Sequence, residues 1–151
     1  MNFLLEDRVY ETHEILSKQI IINNQIFKAP RGILGRFSKI FETLDFGLLH
    51  VDLKKLANNL EEIRIEILKF AESELNDQEI TFSSILIDFI IPLKDTIDCL
   101  EQICLKLEQK GKNVSYPISQ YRIDVKKYRN LVNIHASKGT DLNTAFRNFR
   151  D

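Results

Sequence analysis

The sequence predicts an all-α protein, an up-down bundle of four to five helices that ends in a short C-terminal helix. Only 5 Gly and 3 Pro interrupt the 151 residues, so long elements joined by few turns are expected. Apolar residues also recur at intervals of three and four along most of the chain, which is the period of an amphipathic helix. The length suits one domain, which we place over residues 1–151.

The first two helices are predicted in the N-terminal third of the chain. The first runs from about Asn2 to Gln25, where apolar residues fall mostly on one face. The second begins at Pro30, because proline suits the first position of a helix. Gly47 is the expected stop of this second helix.

The third and fourth helices carry the strongest apolar patterns. Asp52 is the expected N-cap of the third helix, which continues in a heptad-like rhythm to Asn76. Thr81 is the expected N-cap of the fourth helix, and Gly111 is its expected end. Both helices should bury a continuous apolar face.

The last third of the sequence predicts one long and one short helix. The fifth helix begins near Pro117 and is expected to stop at Gly139. Thr140 then caps the short C-terminal helix.

The first half of the fourth helix is apolar nearly all round, from Phe82 to Ile91. This pattern is typical of a helix that is buried on several sides. Either the helix is the centre of the domain, or part of it contacts another chain. We therefore predict Phe82, Ile87 and Ile91 as interface residues.

Charge divides the chain into an acidic middle and a basic end. Residues 52–108 contain 13 acids and 6 bases, whereas residues 109–151 contain 3 acids and 9 bases. These charges either lie on solvated helix faces or allow copies of the chain to pair head to tail.

The standard signatures of metal and cofactor binding are not found. No histidine has a glutamate three residues before it, as helical di-iron sites require, and no zinc-protease motif occurs. Cys99 and Cys104 do not have the spacing of a zinc or redox pair. We predict no metal and no cofactor. We also expect a cytoplasmic protein without a membrane segment, because the most apolar stretch is too short to span a bilayer.

A basic cluster precedes and enters the predicted second helix. It consists of Lys28, Arg31, Arg36 and Lys39, with no acid between them. Four bases near a helix N-terminus form a candidate anion site, although they also suit an ordinary surface.

One constellation in the fifth helix predicts chemistry. The segment from Tyr128 to His135 contains Arg129 followed by Asn130, with five residues between Arg129 and His135. This pattern resembles the motif of HEPN domains, which are all-helical bundles. The resemblance implies a metal-independent endoribonuclease or an RNA-binding relative. In such an enzyme, histidine moves a proton while arginine stabilises phosphate charge.

The resemblance also implies a dimer. Arg129 and His135 lie roughly 120° apart around a helix, so a cleft shared by two chains would be needed to bring two copies of the motif together. The neighbouring bases Arg122, Lys126 and Lys127 would then contact the RNA backbone.

The leading functional prediction is a non-enzymatic helical bundle that binds protein, including itself as a homodimer. It depends on the excess of apolar surface in the fourth helix. The HEPN-like ribonuclease or its RNA-binding relative is the alternative.

Overall fold

A computed structural model describes residues 1–27 and 44–150, and over these residues the predicted all-α class is confirmed. The described residues form four helices that pack together. They are α1 (Phe3–Phe27), α2 (Phe46–Ser73), α3 (Asp77–Gly111) and α4 (Ile118–Arg150). The predicted helix that starts at Pro30 lies outside the described residues.

The helix α2 begins earlier than its sequence pattern indicated. Asp45, not Asp52, is its N-cap, and the Asp45 carboxylate accepts a hydrogen bond from the backbone N–H of Leu48 at 2.9 Å. Gly47 therefore lies in the first turn of α2, and the prediction that it ends a helix was wrong. An aspartate two residues before a glycine satisfies an exposed helix N-terminus, and this local signal outweighs the tendency of glycine to end helices.

The helix α3 also begins before its predicted cap. Asn76 and Glu79 form a capping box: the Asn76 side chain accepts from the Glu79 backbone N–H at 3.0 Å, and the Glu79 carboxylate accepts from the Asn76 backbone N–H at 3.1 Å. Thr81 is consequently inside the helix, where its hydroxyl donates to the carbonyl of Asp77. The prediction of Gly111 as the end of this helix is confirmed.

The prediction of a short C-terminal helix was wrong, because α4 continues without a break to Arg150. Gly139 lies inside α4, and a Cβ built on it would be 3.1 Å from Cε2 of Phe89 on α3. This glycine permits close helix packing and does not stop the helix. Thr140, the predicted cap, instead donates its hydroxyl to the Ala136 carbonyl within the same helix.

Neighbouring helices run antiparallel. Between α2 and α3, Gly47 lies beside Glu108, and His50 lies 3.1 Å from Glu101, measured from Nδ1 to Oε1. Between α3 and α4, the rings of Phe82 and Phe149 are 5.7 Å apart, and Phe89 packs on His135. In each pair of helices, the contacting residue numbers increase along one helix while they decrease along the other, which is the pattern of an up-down bundle.

The helix α3 is the centre of the core. Most of its apolar side chains are buried, including those of Leu86, Ile90, Leu93, Ile97 and Leu100. It packs along its length against both α2 and α4. The nearly all-round apolar pattern of this helix is therefore explained largely by burial within one chain.

The helices α1 and α4 approach each other less closely and are joined by long side chains. The hydroxyl of Tyr128 accepts a hydrogen bond from Gln19 and donates one to Asn23, each at 2.7 Å. At the opposite end of this seam, the Arg150 guanidinium lies 3.1 Å from the Glu6 carboxylate. Both contacts agree with antiparallel packing of α1 and α4.

Candidate interaction surfaces

His135, one of the two predicted catalytic residues, is a core residue on α4. Only 5% of its surface is exposed. Its Nδ1 lies 2.9 Å from the hydroxyl oxygen of Thr96, and its ring packs edge-on against Phe89. The Thr96 hydroxyl donates to the Pro92 carbonyl at 2.8 Å, so its oxygen can accept a hydrogen bond from His135 in the tautomer that carries a proton on Nδ1. The histidine is thus held by its surroundings in one orientation.

Burial lowers the pKa of His135 below its usual value, and a hydrogen bond to the Leu131 backbone opposes this effect only in part. A neutral imidazole is therefore the stable form inside the bundle. Arg129, its predicted catalytic partner, has an exposed side chain. One chain does not bring the Arg129 guanidinium and the His135 ring together at a common cleft.

The other predicted basic residues of α4 divide between two faces. Arg122 and Lys126 are exposed with Arg129, at positions that form a single stripe along the helix. Lys127 instead lines a groove of about 510 Å³ between α3 and α4, together with Cys99 and Asp124. The predicted anion-site residues lie outside the described residues: these are Lys28, Arg31, Arg36 and Lys39.

The Asp124 carboxylate, in the first turns of α4, hydrogen-bonds both to the end of α3 and to the turn between α3 and α4. Burial raises the pKa of this carboxyl, but three hydrogen bonds outweigh burial and lower the pKa below its usual value. The donors are Lys106 Nζ at 2.8 Å, the Tyr116 hydroxyl at 2.6 Å and Gln120 Nε2 at 2.9 Å. The carboxylate accepts these three hydrogen bonds from residues of its own chain, which indicates a structural role.

The three predicted interface residues have different environments. Phe82 is only 2% exposed, because the continuous α4 lays Phe146 and Phe149 against its ring. The structure therefore places Phe82 in the core of the bundle and not on a surface. Ile87 is half-buried, and Ile91 is 46% exposed.

Ile87 and Ile91 belong to a larger apolar surface on the outer side of α2 and α3, which we call the apolar flank. Its members are Ile65, Leu68, Ile80, Ile87 and Ile91. Glu61 and Lys94 are close enough across the two helices to attract each other, which shows which positions of α2 and α3 lie side by side. Helical spacing from those two positions then brings the α2 and α3 members of the flank opposite each other.

At the end of the apolar flank near Glu61 and Lys94, each of the two helices carries an ion pair between its own residues. Arg64 Nη2 lies 2.6 Å from Glu61 Oε1, and Lys94 Nζ lies 2.9 Å from Asp98 Oδ2. The hydrogen bond with Arg64 lowers the pKa of Glu61, and the hydrogen bond with Asp98 raises the pKa of Lys94. The charges at this end of the flank are thus already paired within the chain.

Sequence reasoning missed Ile65 and Leu68 as surface residues. The α2 core positions Leu60, Ile63 and Ile67 fit the helical period, and Ile65 lies about 160° from the middle of that row. Two large apolar residues off the core face of an otherwise amphipathic helix were the signal that identifies the flank.

Neither a metal site nor a membrane segment is found in the part of the chain that the structure describes. No three His, Cys, Asp or Glu side chains there come together to hold a metal ion. No described helix has the length and apolar character needed to cross a lipid bilayer.

Comparison with protein-family models, with curated proteins and with solved structures finds no match for this chain. The fold and its surfaces define the class of protein, an antiparallel helical bundle with an exposed apolar flank.

Proposed function

We propose that this chain is a non-enzymatic protein-interaction module that self-associates, with a second copy covering the apolar flank. One observation carries the proposal. Four large aliphatic side chains on one side of the bundle are each 40–46% exposed: Ile65, Leu68, Ile80 and Ile91. Contiguous apolar surface of this kind is typical of an interface.

The energetics and charge of the flank favour association. Covering each half-exposed Ile or Leu stabilises a complex by on the order of 1 kcal/mol. The pairs Glu61–Arg64 and Lys94–Asp98 at one end need no new partner when water is excluded. A partner therefore gains apolar burial without having to compensate these four charges.

The geometry favours binding over RNA cleavage. A general base must come within hydrogen-bond distance of the proton that it removes. His135 is buried against Thr96 and Phe89, whereas Arg129 is exposed. The cations of α4 are better placed to attract an anionic surface than to serve a catalytic cleft.

The substitution Leu68→Asp tests the proposal. Leu68 is 44% exposed, so the folded monomer tolerates a polar side chain there, but an interface that buries it would have to desolvate a charge. We expect the wild type to show a concentration-dependent mass by size-exclusion chromatography with light scattering. Leu68→Asp should weaken association at least about tenfold.

The matched control is Leu48→Asp, on the same helix but away from the flank. Leu48 is 57% exposed, and this change should leave the assembly unaltered. A wild type that remains monomeric at every concentration would exclude self-association. Equal loss of association in both variants would show that added charge, not the flank, is responsible.

A further inference from the structure

Two charged stripes of opposite sign lie on the outer faces of α3 and α4. The acidic stripe consists of Asp88 and Asp95, with Ile91 of the apolar flank between them. The basic stripe consists of Arg122, Lys126 and Arg129. All the side chains in both stripes are exposed.

Neither stripe forms a close ion pair within the described part of its own chain. Among the described residues, no ion pair within 4.0 Å includes a charged member of either stripe. The nearest opposite charges in sequence form their ion pairs elsewhere: Lys94 pairs with Asp98, although it also attracts Asp95, and Asp124 pairs with Lys106. Both stripes are therefore exposed to solvent and free of close ion pairs within the described residues.

The spacing of the two stripes is complementary. Asp88, Ile91 and Asp95 occupy helix positions separated by three and four residues. Read in the opposite direction, Arg129, Lys126 and Arg122 have the same separations. At 1.5 Å per residue, each stripe spans about 10.5 Å. An antiparallel approach therefore brings two Arg–Asp pairs into register at the same time.

We propose that the second copy covers the flank with the basic stripe of its α4. Arg129 faces Asp88, Arg122 faces Asp95, and the aliphatic stem of Lys126 lies across Ile91. Ile123, 61% exposed beside Arg122, adds apolar area to the contact. This inference rests on the proposed self-association and names the surface that meets the flank.

The contact is heterologous, because two different surfaces of the chain meet. After two copies meet, one still has an unused basic stripe and the other an unused flank, so assembly continues beyond two copies unless a ring closes. Exposed Arg–Asp pairs are individually weak and are screened by salt. Association should therefore weaken as ionic strength rises, unlike a purely apolar contact.

Two charge-reversed variants test the pairing. The acid-reversed variant carries Asp88→Lys and Asp95→Lys, and the base-reversed variant carries Arg122→Glu and Arg129→Glu. Each variant alone opposes like charges at the contact, so its association should weaken at least tenfold relative to the wild type. An equimolar mixture restores opposite charges at every contact, and we expect it to regain wild-type association in light scattering or sedimentation velocity.

The matched control carries Lys138→Glu and Arg147→Glu, which alter net charge on the same helix by the same amount but lie outside the stripe. It should associate like the wild type. Because every substituted side chain is exposed, circular dichroism should show the same helical signal in all four proteins.

The outcomes separate the two proposals. A base-reversed variant that associates like the wild type overturns the stripe pairing and leaves self-association through the flank intact. A mixture that stays monomeric also overturns the pairing. A monomeric wild type removes self-association itself, and the pairing with it.

Discussion

His135 shows how one buried side chain changes the meaning of a sequence pattern. Its spacing from Arg129 is visible in the sequence, but the direction in which each side chain points is not. The ring fits between Thr96 and Phe89, where a neutral imidazole satisfies the Thr96 hydroxyl oxygen. Because burial opposes the charged form, the same histidine that suggested catalysis contributes to the core.

We predict that this histidine makes stability depend on pH. The folded pKa of His135 is lowered, so below about pH 6.5 the unfolded chain takes up a proton that the folded chain resists. The free energy of unfolding should therefore fall as pH decreases from about 6.5 towards the folded pKa, with no contribution from this residue at higher pH. Urea unfolding at pH 7.5, 6.5 and 5.5 measures this loss.

His135→Gln should remove that part of the pH dependence, because glutamine stays neutral throughout the range. His13→Gln is the matched control, since His13 has an exposed side chain. An equal pH dependence in the wild type and His135→Gln would contradict the prediction.

Gly139 illustrates the same problem at the scale of an element. From sequence, a glycine after a long helical pattern indicates a stop, as Gly111 does correctly for α3. Gly139 occupies the middle of α4 because α3 and α4 approach closely at Phe89. Whether a glycine ends a helix or allows two helices to pack depends on a neighbour that is distant in sequence.

We expect Gly139→Ala to destabilise the protein relative to Gly111→Ala. The new methyl group would lie 3.1 Å from Phe89, a ring that is buried and cannot easily move aside. Overpacking of this kind costs about 1–3 kcal/mol, which offsets or exceeds the roughly 1 kcal/mol gained in helix propensity. At Gly111 nothing lies within 4 Å of the added atom.

Thermal and urea unfolding of both alanine variants would measure the difference, which should be about 1 kcal/mol or more in free energy of unfolding. If Gly139→Ala were the more stable variant, the close approach of α3 and α4 at Phe89 would be wrong.

At the scale of the whole molecule, the all-α class and the location of most helices follow from the apolar period. What the sequence did not provide was the continuity of α4, and that continuity decides which apolar residues remain at the surface. Phe82 is covered because Phe146 and Phe149 reach it, whereas nothing in the described chain covers Ile91 to the same degree. Interface prediction therefore required the packing of every described helix.

The seam between α1 and α4 is the place where we predict the bundle opens first. Tyr128→Phe removes the hydroxyl that joins Gln19 and Asn23, and Gln19 is buried. Leaving a buried amide without its partner costs about 1–3 kcal/mol. Hydrogen exchange should show a larger loss of protection in α1 than in α3.

The control is Tyr10→Phe near the other end of the seam, where the hydroxyl is exposed and contacts Arg150. That change should alter the free energy of unfolding by less than about 0.5 kcal/mol. Equal loss of protection in α1 and α3 after Tyr128→Phe would mean that the bundle unfolds as one unit.

The capping box at Asn76 has a consequence for the order of folding. Only three residues separate α2 from α3, and the box fixes the start of α3 within that short link. Contacts close in sequence form before distant ones, so this hairpin is favoured to assemble ahead of the docking of α1 and α4. The apolar flank would then be complete while the chain is still folding, and a copy that has already folded could bind it through the basic stripe of its α4.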